Sequence, residues 1–199
     1  MTVPLLRGKG KSMIGYAICG SFCTLSKTLE VLGRLVNSGY EVQPIMSERV
    51  YETDTRFWCA EDFRRCVRAT CGREIIHTVT EAEPLGPKIK LTSLVVAPCT
   101  GNTLAKFASG ISDGAVTMAM KAHMRNDRPL LIALASNDAM SANLGNIGKA
   151  LRRKSVYFVP MKQDDIAAKP HSLVADFDKI EDCLEKMRKG EQARPLFLQ

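Results

Sequence analysis

A chain of 199 residues, 45% apolar and 25% charged, is long enough for one sizeable core and too short for two large domains, so a single domain over residues 1–199 is expected. No apolar run approaches the length of a bilayer-crossing helix. Val3 to Leu6 is followed at once by Arg7, Lys9 and Lys11, so residues 1–11 read as a flexible basic arm rather than a signal peptide, and the protein as cytoplasmic. The net charge of +7 comes from basic residues spread along the chain without a nucleic-acid motif, so no nucleic acid and no membrane is expected as a partner.

Short apolar strands alternate with amphipathic helices, which predicts an α/β fold, a three-layer Rossmann-like sandwich with a mostly parallel central sheet. Met13 to Cys19 is a buried-type strand and Gly20 to Thr24 a tight turn. Leu25, Leu29, Leu32 and Val36 then recur at helical spacing until Asn37-Ser38-Gly39 ends the helix. Glu41 to Met46 reads as the second strand, and Pro44, which lacks an N–H, places it at an edge or a bulge. Ala60 to Ala69 is a helix of alternating acid and base, Arg73 to His77 a short strand, and Glu81 to Lys90, with Pro84, Gly86 and Pro87, a loop. Leu94 to Ala97 is a strand that feeds Pro98-Cys99-Thr100-Gly101-Asn102-Thr103, after which Leu104 begins a helix. Ala115 to Met124 is apolar nearly all round, as befits a helix buried in a core or between subunits. Leu130 to Ala135 is the next strand, Asn143 to Arg153 a helix, Val156 to Val159 the last strand, and Ala175 to Lys189 the closing amphipathic helix.

In an open parallel sheet the carboxyl ends of the strands meet the N-termini of the following helices on one rim, where free N–H groups favour an anion. Gly20 to Thr24, Thr100 to Thr103 and Ser136-Asn137-Asp138 reach that rim, with Ser47 as a fourth contributor. In the first turn, Gly20 permits close backbone approach, and Ser21 and Thr24 offer hydroxyls either to a phosphate or to a helix cap. In the second, Thr100, Asn102 and Thr103 are followed by Ser112-Asp113-Gly114; Thr100 or Asn102 acting only as a cap is the alternative. Seven cysteines (19, 23, 59, 66, 71, 99 and 183) lack the paired spacing of a zinc site, so reduced thiols and no metal are expected.

These turns resemble the flavoprotein family of homo-oligomeric flavin-containing cysteine decarboxylases and prenyl-flavin synthases. The resemblance implies a flavodoxin-like fold. It also implies that Gly20, Ser21, Ser47, Pro98, Thr100, Asn102, Thr103 and Asp113 bind FMN or its phosphate, and that the chain forms a homo-oligomer, a trimer or a multiple of one, with flavin at the trimer interface. A wider set of segments covers almost the whole chain: Thr55-Arg56-Phe57, Glu83-Pro84-Leu85-Gly86-Pro87-Lys88, Thr100-Gly101-Asn102, Ser136-Asn137-Asp138-Ala139, Tyr157-Phe158-Val159-Pro160 and Gln163-Asp164. It resembles the branch of this family that supplies the smaller component of two-component synthases, which make a pyridine dicarboxylate in spore-forming bacteria. That likeness implies a larger partner chain carrying NADP and a cyclic dihydro- or hydroxytetrahydro-dicarboxylate substrate. It further implies an oxidoreductase role in the mother-cell cytoplasm during sporulation.

The departures from the family pattern are specific. The decarboxylases place a catalytic His shortly before their A-P segment, where counting back from Pro98 gives Pro84. Their P-x-M-N-x-x-M-W substrate clasp is replaced by Ser136-Asn137-Asp138-Ala139-Met140, so cysteine-peptide decarboxylation is not expected. His77 is the candidate base in place of the missing one, against the plainer reading of a hydrogen-bonded structural histidine. His123, in a buried-looking helix, and His171, beside Pro170, are weaker. Arg56 and Lys88 are candidates to hold the substrate carboxylates, as a forked and a point donor respectively. Two further readings stand beside the oxidoreductase: a non-catalytic scaffold or substrate-delivery component that has lost the flavin, and prenyl transfer to flavin. The last needs a dimethylallyl phosphate site, and no basic and hydroxyl cluster beyond the turns provides one.

Overall fold

Seven strands make one sheet in the computed structural model, which describes residues 12–86 and 88–198. The expected basic arm at 1–11 and Pro87 lie outside the described residues. Five strands run parallel in the order β2 (Glu41–Met46), β1 (Met13–Ile18), β3 (Ser93–Cys99), β4 (Leu130–Ser136) and β5 (Val156–Phe158). This is the doubly wound 2-1-3-4-5 order of flavodoxin-like folds. β4 is shared: Leu130 to Ile132 pair with β5, while Ala135 and Ser136 pair antiparallel with β7 (Leu173–Ala175), which in turn pairs with β6 (Met161–Lys162).

The central strands are apolar throughout because both faces are covered. Ile14, Tyr16 and Ile18 of β1, Val95 and Ala97 of β3, and Leu131 and Ala133 of β4 point into one core, filled by α1 (Leu25–Asn37), α2 (Glu48–Glu52), α3 (Ala60–Cys71) and α8 (Ile180–Arg188). Their alternates Ala17, Leu94, Val96, Leu130, Ile132 and Leu134 point into the other. That core is filled by α4 (Val79–Ala82), α5 (Gly101–Ala108), α6 (Ala115–Met124) and α7 (Leu144–Leu151).

β2 lies at the edge, as Pro44 predicts, with one added bridge from Ile76 to Ile45 in place of the strand expected at 73–77. The segment expected to be loop from Glu81 opens inside α4, whose start carries a capping box between Thr78 and Glu81. The apolar surface of α6 is taken up by the chain itself, by α4 and α5 as well as by the sheet, with Lys121 its one exposed residue. β5 is not the last strand, since β6 and β7 follow it, and the closing helix starts at Ile180 because Ala175 belongs to β7. The tail closes the sheet with its side chains as well as its backbone. Gln192 accepts from the Phe158 N–H at 2.9 Å and donates to the Phe158 carbonyl at 2.6 Å, and Met161 exchanges backbone bonds with Leu196 and Leu198. No helix among the described residues is long and apolar enough to cross a membrane.

Candidate functional site

The chain passes from β1 to β2 on one side and reaches β3 on the other, so the helices leaving β1 and β3 diverge and open a crevice at the carboxyl ends of these strands. A cavity of about 610 Å³ occupies it, within the roughly 300–1,000 Å³ typical of small-molecule sites. Its lining comes from the end of β1 (Cys19, Gly20, Phe22), the start of α2 (Ser47, Glu48, Arg49), the start of α5 (Thr100, Asn102, Thr103, Lys106) and the approach to α6 (Asp113, Gly114, Val116, Thr117).

The first turn is pinned but uncapped. The Cys19 N–H donates to the Pro98 carbonyl at 3.1 Å, tying β1 to β3, and the Thr24 hydroxyl donates back to the Ser21 carbonyl at 2.8 Å. Neither Ser21 nor Thr24 caps the helix with its side chain, and their own N–H groups donate to the Cys19 and Ser21 carbonyls at 2.9 and 3.0 Å. The other two entries differ. Ser47 caps α2 by accepting from Val50 at 3.5 Å, and its own N–H is tied to the Ile18 carbonyl. Thr100 caps α5 by accepting from the Thr103 N–H at 3.2 Å, while its hydroxyl donates to Thr103 Oγ1 and that of Thr103 donates to Cys19 Sγ at 3.3 Å. This hydroxyl–thiol chain fastens the second turn to the first. Asn102 stands exposed on the rim.

Burial pushes the Cys19 thiol up to about 11 and raises Cys99 as well, helped there by the neighbouring Cys19, so both are neutral thiols rather than nucleophiles at neutral pH. Lys106 pairs with Asp113 at 2.8 Å, and that bond holds the Asp113 carboxyl below its usual range. Glu48 reaches across the cavity to accept from the Ala115 N–H at 2.9 Å, placing its charge at the positive end of α6.

The third turn is complete in itself. Ser136 donates to Asp138, Asn143 donates to the second Asp138 oxygen at 3.0 Å, and these bonds, Ser136 foremost, lower the Asp138 carboxyl. The cluster rests on Gly101, where a Cβ would meet the ends of the Ser136, Asn143 and Asp138 side chains, so a larger residue there would push this cluster aside.

Of the sequence candidates, Gly20, Ser47, Thr100, Asn102, Thr103 and Asp113 meet at the cavity. Ser21 stands beside the lining, and Pro98 is buried in β3 after a cis peptide with its carbonyl on Cys19. His77 is elsewhere: its ring stacks on Tyr51 with centroids 3.7 Å apart, and Nδ1 lies 3.1 Å from Glu81. Arg56 covers the ring of its neighbour Phe57 and Lys88 is exposed; neither belongs to the lining. His123 is buried, donating through Nε2 to the Pro129 carbonyl, and His171 is exposed. Glu48, Arg49 and Lys106 are the charged residues that sequence reasoning missed. The signal for the first two was their place directly after the Ser47 turn. Lys106 sits one helical turn beyond Asn102, on the same face. No cluster of three or more His, Cys, Asp or Glu side chains suited to a metal occurs among the described residues.

The model of the Flavoprotein family matches residues 3–189. The dipicolinate synthase B chain of Bacillus subtilis (strain 168) is 37% identical over 191 residues, which cover 96% of this chain and 95% of that protein. Among solved structures, the dipicolinate synthase B chain from Bacillus halodurans C has a TM-score of 0.87 at 34% identity, covering 94% of this chain and 96% of that one. The FMN-dependent cysteine decarboxylase SpaF has a TM-score of 0.68 at 21% identity, covering 90% and 97%, a likeness of fold.

Proposed function

Because the chain belongs to the Flavoprotein family, we propose that it binds FMN in the cavity at the ends of β1, β2 and β3 and serves as the smaller component of a dipicolinate synthase. The observation that carries this reading is the first turn, where Gly20 to Thr24 form a helix entry without a side-chain cap beside a cavity whose lining adds the Ser47, Thr100 and Thr103 hydroxyls, the Asn102 amide and four charged side chains. A phosphate suits that entry, because the α5 start carries the Thr100 cap and the Asp138 cluster beside it, and the α6 start already holds the Glu48 carboxylate. Ser21 and Thr24 flank the phosphate, while Ser47, Thr100, Asn102 and Thr103 face the remainder of the nucleotide. Asp113 acts through Lys106, which it holds in place.

When bound, the flavin supplies a two-electron acceptor for oxidising a dihydro- or hydroxytetrahydro-dicarboxylate ring. The chain's own part is to orient the ligands and exclude water. A larger partner chain carrying NADP completes the enzyme in the mother-cell cytoplasm, and the smaller chain assembles as a homo-oligomer.

One observation favours a second reading, a scaffold or substrate-delivery component: the lining among the described residues includes no histidine, and the thiols of Cys19 and Cys99 are held neutral. A single experiment separates the two. The natively purified protein is mixed with excess FMN and desalted, and its visible absorbance is recorded beside the activity of the reconstituted pair. A retained flavin spectrum that is lost in the Ser21→Ala, Asn102→Ala double variant, with activity lost in parallel, is the expected result. A colourless protein that fully supports its partner would establish the scaffold.

A further inference from the structure

Among the described residues, the cavity lining contains two cations, Arg49 and Lys106. Lys106 is already matched by Asp113 at 2.8 Å. Arg49 is different: its guanidinium has no ion-pair partner among the described residues, although acids stand on both sides of it in sequence. Glu48 is turned away to the start of α6, where it accepts from Ala115, and Glu52 makes no bridge. The backbone beneath Arg49 is nevertheless fixed. Ser47 is bonded to Ile18 of β1 on one side, and the Arg49 carbonyl accepts from the Thr53 N–H at 3.1 Å on the other. The result is an exposed, unmatched forked cation on an anchored turn, in the lining of the same cavity as Gly20 and Phe22 of the first turn.

We infer that Arg49 is the anchor for a ring carboxylate of the substrate, replacing the Arg56 and Lys88 of the sequence expectation. The inference rests on the dicarboxylate reading above. A planar guanidinium takes a carboxylate through two parallel N–H···O bonds, which fixes the plane of the acid and therefore of the ring that bears it. An ammonium gives no such plane. The two anions of the complex are thereby divided: phosphate goes to the backbone amides of the first turn, carboxylate to the fork of Arg49.

The test is calorimetric titration of the full chain with dipicolinate, with and without FMN, on wild type, Arg49→Ala, Arg49→Lys and Arg56→Ala, with FMN retention read on the same samples. Arg49→Ala is expected to weaken dipicolinate roughly ten- to hundredfold. Arg49→Lys should weaken it less, Arg56→Ala not at all, and FMN retention should hold in all four. Unchanged dipicolinate affinity in Arg49→Ala overturns the inference. So does loss of FMN with dipicolinate intact, which would assign the guanidinium to the phosphate, and so does a wild-type protein that ignores dipicolinate. Failure of wild type to retain FMN sinks the cofactor reading instead, and the titrations without flavin still decide the role of Arg49.

Discussion

His123 sits wholly inside the α6 side of the core, with Nε2 on the Pro129 carbonyl and Nδ1 without a partner among the described residues. Burial depresses its pKa to about 4. Between the ordinary value of 6.5 and about 4 the unfolded chain takes up a proton that the folded chain refuses. Stability therefore falls as the pH falls through that window and is untouched above it, by roughly 2 kcal/mol between pH 7 and pH 5. Urea unfolding at those two pH values should show the drop in wild type and a smaller one in His123→Gln; equal drops would mean that His123 titrates normally. Legibility at this scale follows distance along the chain. The Thr100 cap involves a partner three positions away, and the sequence offers it as one alternative; the Ser47 cap is as local, yet its hydroxyl reads in the sequence only as a rim contributor. The Glu48 bond spans 67 positions and depends on the whole sheet lying between its ends, so no local pattern carries it.

That bond also ties two elements, α2 and α6, across the cavity. Glu48→Gln keeps an oxygen for the Ala115 N–H but removes the charge from the positive end of α6, which should cost about 0.3–1 kcal/mol. Glu48→Ala also strips the acceptor and should cost about 1–2 kcal/mol in all. Urea midpoints of the three proteins should fall in that order, and an alanine variant as stable as wild type would show that the bond contributes nothing. The elements the sequence reading missed are the short ones. α4 has four residues and β6 two, too few for a periodicity to register, and β7 exists because the last residues of β4 offer it a partner. The capping box of α4, Thr78 with Glu81, was nevertheless present in the sequence. The long elements were legible because two covered sheet faces demand unbroken apolar strands, and Pro44 marked the edge correctly because an edge strand has fewer ladder bonds to lose.

On the scale of the whole molecule, the sheet depends on its last residues. Ending the chain after Gly190 removes Gln192 from Phe158 and Leu196 and Leu198 from Met161, leaving the β5 and β6 edges with unpaired backbone groups. Such a truncation should lower stability by about 2 kcal/mol or more and broaden the size-exclusion profile through edge pairing. A monodisperse truncated protein with an unchanged urea midpoint would contradict it. The described lining of the cavity runs only from Cys19 to Thr117, yet the sheet that holds it closes on Gln192 and Leu198. A ribosome that has delivered every ligand-facing residue has therefore still to deliver β4, β5 and the tail that seals them. Occupancy of the cavity thus belongs to the finished polypeptide, and a chain released early by a stop codon in its last tenth keeps the residues of the site but not the frame that brings them together.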